Sequence, residues 1–326
     1  MRVLMLGHTQ VLAALPPDAC ADAMEAVLAG RARGEAHMPL RSVMTAPGAS
    51  GLMGLMPAWR GGDDAVFSLK AICVMPGNPA RGLDAHQGIV TLFDGETGEP
   101  TAILDASAIT QVRTAAVSAV ATRTLAREDA RVLAILGSGV QGKAHLDALT
   151  RVRRFEEIRV YSPTRAHAEA IADGTGDAPV SVAASAEAAV RGADVVVTAT
   201  NAREPVLEHA WLAPGVHVNS VGASIPSARE LEVETVAASA LFVDSRESLR
   251  NEAGEYLLAV QQGAITGQEH VRAELGEVLA GLKPGRRDEH ELTLFRSLGL
   301  AVEDLAAAEH AVAGAQVLGL GTEVEL

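Results

Sequence analysis

The segment RVLAILGSGVQGKAHLDAL, residues 131–149, constrains this chain more than any other. It places Gly137-x-Gly139-x-x-Gly142 directly after the strand-forming run 131–136 and at the opening of a helix-forming stretch. In that context the first glycine permits a tight turn, the second lets backbone approach a pyrophosphate, and the third allows close helix-to-sheet packing. The helix N-terminus then offers amide donors and the positive end of its dipole to the anion. The motif predicts a dinucleotide fold. Ser138, Val140 and Gln141 share the turn and join the expected cofactor set, as do Thr198, Ala199, Thr200 and Val221, at or beyond the ends of later strand-like runs, and Ser297, where the dinucleotide unit is read to end.

About twenty residues after Gly142, where an NAD-selective site carries an acid, the chain reads Tyr161-Ser162-Pro163-Thr164-Arg165. A carboxylate there would bond the ribose 2′-hydroxyl and repel a 2′-phosphate. Ser162, Thr164 and Arg165 offer hydroxyls and a guanidinium instead, so NADPH is expected ahead of NADH. As a bland alternative, Arg165 is a solvated residue at a helix start.

The rest of the chain supports an α/β class. At 326 residues and 48% hydrophobic, it exceeds what one core usually serves. Runs 131–136, 158–161, 194–199, 216–221 and 241–243 alternate with helical or loop stretches, the rhythm of a doubly wound parallel sheet, read over 119–297. Before it, 65–75 and 88–93 are strand-rich, DGETG at 94–98 is a hairpin signal leading to 102–104, and an opening helix is expected near 17–29. Helical spacing over 109–125 leads out of this mixed α+β domain. An Ala-rich helix over 298–317, interrupted by Gly314 and carrying Asp304 and Glu309 on a polar side, is expected to pack back on it. The domains are therefore 1–118 with 298–326, and 119–297 for dinucleotide.

A net charge of −14 argues against nucleic-acid partners and anionic membranes. No apolar run reaches transmembrane length and the first residues do not read as a signal peptide, so a cytoplasmic protein is expected. Cys20 and Cys73 lack CxxC spacing, and the histidines form no HExxH, so neither a disulfide framework nor a metal site is expected.

In an acidic chain, cations embedded in apolar runs are informative, because burying an unpaired charge is costly. Arg41 in MPLRSVM, Lys70 in FSLKAICVM and Arg113 in AITQVRTAAVSAV meet that description and could clamp a substrate carboxylate. Each alone could equally be a structural ion-pair partner or a snorkelling side chain.

At these residues the sequence resembles the ornithine cyclodeaminase/mu-crystallin family over nearly its whole length. The matching segments are PLRSVM (39–44), GLMGLMPAW (51–59), the Lys70 run, LDASAITQVRTAAVSAVAT (104–122), LGSGVQGKAHL (136–146), EPVL (204–207) and HVNSVGASIPSARELE (217–232). The resemblance implies a two-domain subunit that dimerises through its first domain, and a substrate carboxylate held by Arg41, Lys70 and Arg113. Ornithine cyclodeaminase has a glutamate at the place of Gly54 and an aspartate at that of Ser224; both are missing here. Gly54 and the GASxP form look like the mu-crystallin branch, whose members reduce cyclic ketimines. The expected reaction is therefore NADPH-dependent reduction of 1-pyrroline-2-carboxylate or 1-piperideine-2-carboxylate to L-proline or L-pipecolate.

Lys70 or a water would support imine protonation, with His86 in GLDAHQG as a second acid. Thr114 and Ser224 are further ligand candidates; Ser224 lacks a GxSxG elbow and is not read as a nucleophile. Alternatives are an alanine or other amino-acid dehydrogenase, a reductive N-alkylating synthase, an ornithine cyclodeaminase, or a crystallin-like nucleotide-binding protein without turnover.

Overall fold

A computed structural model describes residues 1–173 and 179–326. The chain divides into two units, Met1–Arg113 with Gly299–Leu326, and Thr114–Leu298. The first division falls inside helix α3 (Ala106–Leu125), where the sequence put it between 118 and 119; the second lies one residue beyond the sequence reading.

The first unit is built on β1 (Arg2–Leu6), β2 (Ala36–His37), β3 (Ser42–Met44), β4 (Leu52–Arg60), β5 (Val66–Val74), β6 (His86–Asp94) and β7 (Pro100–Asp105). With the last strand (Thr322–Glu325) they form one mixed sheet in the order last strand, β1, β7, β6, β5, β4, β2, with β3 also on β4. Only β1 and β7 pair parallel. The β6–β7 turn matches the DGETG signal: Asp94 Oδ1 accepts the Glu96 and Thr97 amides at 3.0 and 2.7 Å, and Gly98 takes φ +73°. β1 is a strand that the sequence reading missed.

Alternation along β5 buries Ser68, Lys70 and Ile72 on one face and leaves Phe67 exposed on the other. The C-terminal helix (Ala301–Leu318) packs on β4, β5 and β6, and on α1 (His8–Ala14) and α2 (Pro17–Ala32). Gly314 does not interrupt it. A Cβ there would lie 2.1 Å from the Ala14 carbonyl oxygen, so the glycine lets two helices touch.

The second unit carries β8 (Val132–Leu136), β9 (Glu157–Tyr161), β10 (Val180–Val182), β11 (Val195–Thr198), β12 (His217–Ser220), β13 (Ala240–Val243), β14 (Val271–Glu274) and β15 (Thr293–Arg296). Every pairing is parallel, in the order β10-β9-β8-β11-β12-β15-β13-β14. A sheet covered on both faces explains near-continuous apolar runs such as VLAIL and VVVT. Leu133 and Ile135 enter one hydrophobic cluster, Ala134 and Leu136 the other. Strand order reverses between β8 and β11, which is where ligands gather in such sheets. β10, β14 and β15 are additions to the strands read from sequence.

Candidate active site

The embedded cations of the first unit do converge, but not as bare charges. Lys70 Nζ lies 2.9 and 2.8 Å from the two carboxylate oxygens of Asp304 and 3.3 Å from Thr110 Oγ1. Arg113 Nε donates to Asp304 Oδ1 at 2.9 Å and its Nη1 to Glu303 Oε2 at 2.9 Å. Arg41 Nη2 donates to the Gly299 carbonyl at 2.7 Å. Gly299, at φ +82°, has no room for a side chain, since a Cβ would sit 2.7 Å from Arg113 Nη1. Asp304 is therefore not on a polar helix face. It is 1% exposed and is the anion around which Lys70 and Arg113 are organised.

Three cationic side chains thus converge on the start of the C-terminal helix: Lys70 and Arg113 are buried on the carboxylates of Asp304 and Glu303, and half-buried Arg41 is held on the Gly299 carbonyl. Burial lowers the Lys70 pKa to about 8, with Arg113 and Arg41 acting in the same direction against the pull of Asp304. Burial pushes the Asp304 carboxyl up, but Lys70 and Arg113 together hold it below its ordinary value.

Strand register sets what lies beside the cluster. Met56, Lys70 and Val90 form one cross-strand row, Gly54, Ile72 and Gly88 the next, and Leu52, Val74 and His86 the one after. His86 is the first residue of β6 rather than a loop residue preceding it. It shares the sheet face of Lys70 two rows away, with a glycine-flanked isoleucine between. Its ring is solvent-accessible, yet desolvation and then the Lys70 and Arg113 charges lower its pKa against the pull of Asp84. Two proton-transfer candidates thus flank one shallow strip of sheet.

In the second unit the glycine turn is built as its spacing requires. Gly137 takes φ +121°, and its amide donates to the Tyr161 carbonyl at 3.0 Å. A Cβ at Gly137 would meet the Ala199 carbonyl oxygen at 2.3 Å, and one at Gly142 would meet the Gly137 carbonyl oxygen at 2.2 Å. The third glycine thus lets helix α4 (Val140–Val152) close on the turn itself as well as on the sheet. Gly139, the N-cap of α4, has no side-chain cap, and a Cβ there would meet nothing within 4 Å. Open space at the middle glycine, with the outer two packed tight, fits a pyrophosphate seated on the turn.

Ser138 Oγ donates to Ser162 Oγ at 2.8 Å, joining the turn to the end of β9. Thr164 is the N-cap of α5 (Arg165–Ala172), and exposed Arg165 pairs with Glu169 at 2.8 Å. Thr198 ends β11, with Ala199 and Thr200 following; Val221 and half-buried Ser224 follow β12, and Ser297 follows β15. The Ser297 hydroxyl is buried with no hydrogen-bond partner among the described residues, a polar atom that a ligand could satisfy. Thr114 is buried on α3, immediately after Arg113.

Asn219 lies within β12, and its amide is committed to Thr122 Oγ1 at 2.9 Å. Two groups escaped the sequence reading. Glu303 and Asp304 sit in an apolar helix without any motif, and Glu230 is a buried acid in an irregular segment. Only the unusual presence of acids in so apolar a helix could have drawn attention to the first pair.

Known proteins give the geometry a context. The profile described as the ornithine cyclodeaminase/mu-crystallin family matches residues 2–314. Ketimine reductase mu-crystallin of Mus musculus is 41% identical over 289 residues, covering 88% of each chain. The structure of Thermococcus litoralis Δ1-pyrroline-2-carboxylate reductase in complex with NADH and L-proline superposes with TM-score 0.95 at 35% identity, over 99% of this chain and 100% of that one. An archaeal alanine dehydrogenase dimer with bound NAD superposes with TM-score 0.94 at 34% identity, over 100% of both chains.

Proposed function

Because the chain belongs to the ornithine cyclodeaminase/mu-crystallin family, we propose that it reduces cyclic ketimine carboxylates, taking 1-pyrroline-2-carboxylate to L-proline and 1-piperideine-2-carboxylate to L-pipecolate. It is an NAD(P)H-dependent oxidoreductase acting on imines. The observation that carries the substrate class is the convergence of Arg41, Lys70 and Arg113 on one short stretch, Gly299 to Asp304, a set of donors suited to a substrate carboxylate. The absence of acids at Gly54 and Ser224 supports the same reading, since nothing there would hold the distal ammonium of a diamino acid.

In this mechanism Arg41 and Arg113 orient the substrate carboxylate, with Asp304 and Glu303 fixing the Arg113 guanidinium. The glycine turn and the amino end of α4 hold the pyrophosphate. The dinucleotide, when bound, supplies the hydride that reduces C=N to CH–NH. The nitrogen takes the matching proton from Lys70 Nζ, directly or through a water, and His86 is the alternative donor. A lysine with a pKa near 8 is largely protonated at neutral pH yet gives its proton up readily.

Ser162, Thr164 and Arg165, in place of an acid after β9, favour NADPH over NADH. The outward face of the first unit's sheet supports a homodimer: Met44, Leu55, Phe67 and Ile89 are exposed apolar residues on that one face, the character of surface that a second copy would cover.

The test is a purified-enzyme assay with both imines and both nucleotides near neutral pH. Loss of nicotinamide absorbance with formation of the cyclic amino acid is expected, faster with NADPH; no loss with either imine refutes the assignment. An alanine dehydrogenase is the second reading, favoured by the likeness to the archaeal enzyme. It uses the same carboxylate clamp and would show itself as NAD(P)H oxidation that requires both pyruvate and ammonia.

A further inference from the structure

Nothing in the sequence marks Glu230, yet its carboxylate accepts four hydrogen bonds at the carboxyl ends of the parallel strands. The residue is fully buried. Its carbonyl accepts the Val206 and Leu207 amides at 2.8 and 3.1 Å, and Leu207 bridges Leu231, so the backbone from which the side chain projects is fixed. Oε1 accepts from the Thr200 amide at 2.7 Å and from Thr200 Oγ1 at 2.8 Å. Oε2 accepts from Thr198 Oγ1 at 2.9 Å and from the Gly222 amide at 2.7 Å.

One carboxylate therefore ties the end of β11 and the loop beyond it to the loop beyond β12. Contact continues in both directions: a Cβ at Gly222 would lie 2.0 Å from the Thr200 carbonyl oxygen, and one at Gly137 would lie 2.3 Å from that of Ala199. The 199–200 segment is held between Glu230 on one side and the glycine turn on the other.

We propose that Glu230 is a positioning residue for the dinucleotide site, clamping the 198–200 segment against the Gly137 turn and so fixing the backbone surface that receives the nucleotide. The proposal rests on the reading that Gly137, Gly139 and Gly142 take the pyrophosphate. The chemistry requires two acceptor oxygens on one side chain. Each oxygen accepts one backbone N–H, and a glutamine has a single acceptor oxygen, so its amide NH2 must face either the Thr200 or the Gly222 donor. An unpaired buried donor costs about 1–3 kcal/mol.

Asp194 supplies the control. It performs an equivalent tie at the amino ends of the strands, where Oδ2 accepts the Arg131 and Val132 amides at 2.8 and 2.9 Å, away from the glycine turn. Wild type, Glu230→Gln and Asp194→Ala are compared by melting temperature without nucleotide, by NADPH and NADH titration of nicotinamide fluorescence, and by steady-state kinetics with 1-pyrroline-2-carboxylate.

Both variants are expected to melt earlier, but only Glu230→Gln raises the dinucleotide Kd and KM, by about tenfold. The KM for the imine should stay within about twofold, a split that general loosening does not produce. Should Glu230→Gln fail to fold, Thr198→Val, isosteric and lacking one donor to the same carboxylate, carries the same outcomes. An unchanged dinucleotide Kd in a variant that melts earlier, or an equal rise in Asp194→Ala, overturns the proposal. If wild type itself binds neither nucleotide, the glycine-site reading fails and the proposal with it; wild-type binding that Glu230→Gln leaves intact overturns the proposal alone.

Discussion

At Gly139 a methyl group would meet no atom within 4 Å, whereas at Gly137 or Gly142 it would run into a backbone carbonyl. Folding and binding therefore separate at neighbouring residues. Gly139→Ala should keep the wild-type melting temperature while raising the dinucleotide KM about tenfold, because its methyl group intrudes only on the incoming pyrophosphate. Gly137→Ala should lose folded protein outright, its φ of +121° adding strain to the clash. Circular dichroism melts beside NADPH titrations check both. Lys70 and His86 separate by pH. Protonated Lys70, with its pKa near 8, is the competent form for reduction, so kcat/KM should hold at neutral pH and fall as pH rises through about 8. Were His86 the donor, the limb would lie below its ordinary value of 6.5. Asp304→Asn removes the anion that raises the Lys70 pKa, so the limb should move to lower pH. It should also destabilise the fold by about 3 kcal/mol, since two buried cations lose a shared partner. Denaturant melts and a kcat/KM profile over pH measure the two effects on one preparation.

Among the elements, the glycine turn was the most legible, while the C-terminal helix was legible in extent but not in which side chains it buries. A strand, a turn and a helix within a dozen residues carry their own signal, because each glycine answers to a local constraint. The helix Ala301–Leu318 is buried along most of its first half, so no polar stripe reveals which face meets what. Asp304 then read as surface although its partners, Lys70 and Arg113, lie far away in sequence. Short strands such as β10 and β15 were lost for a related reason: three or four residues give no period to recognise, and Arg296 interrupts the apolar run of β15. Glu230 was invisible because its partners are mostly backbone and hydroxyl groups of other loops. The helix gives its own test. Gly→Ala inside a helix usually stabilises by up to about 1 kcal/mol. Gly314→Ala should instead lower the melting temperature, since its Cβ would sit 2.1 Å from the Ala14 carbonyl oxygen. A neutral or raised melting temperature would show that α1 can retreat without loss.

For the whole molecule, the two-part organisation was legible from composition and rhythm, and so was a first division within the α3 helix; its position there, after Arg113 rather than after residue 118, was not, because a helix that continues from one unit into the other carries no linker signal. No described helix is long and apolar enough to cross a membrane. If the proposed homodimer uses the exposed apolar face of the first sheet, Phe67→Asp on that face should shift light-scattering mass from two subunits towards one; an unchanged mass places the interface elsewhere. The proposed chemistry follows from a cationic cluster in one unit, a glycine turn in the other, and the lack of an acid at Gly54 or Ser224 to process a second amino group. The most direct measurement compares kcat/KM for 1-pyrroline-2-carboxylate with that for pyruvate plus saturating ammonia, using NADPH and one enzyme preparation. The account predicts that the cyclic imine is preferred by at least about a hundredfold, roughly 3 kcal/mol of transition-state binding, with L-proline as product. Equal or greater efficiency with pyruvate and ammonia, or no turnover of the imine, would contradict it.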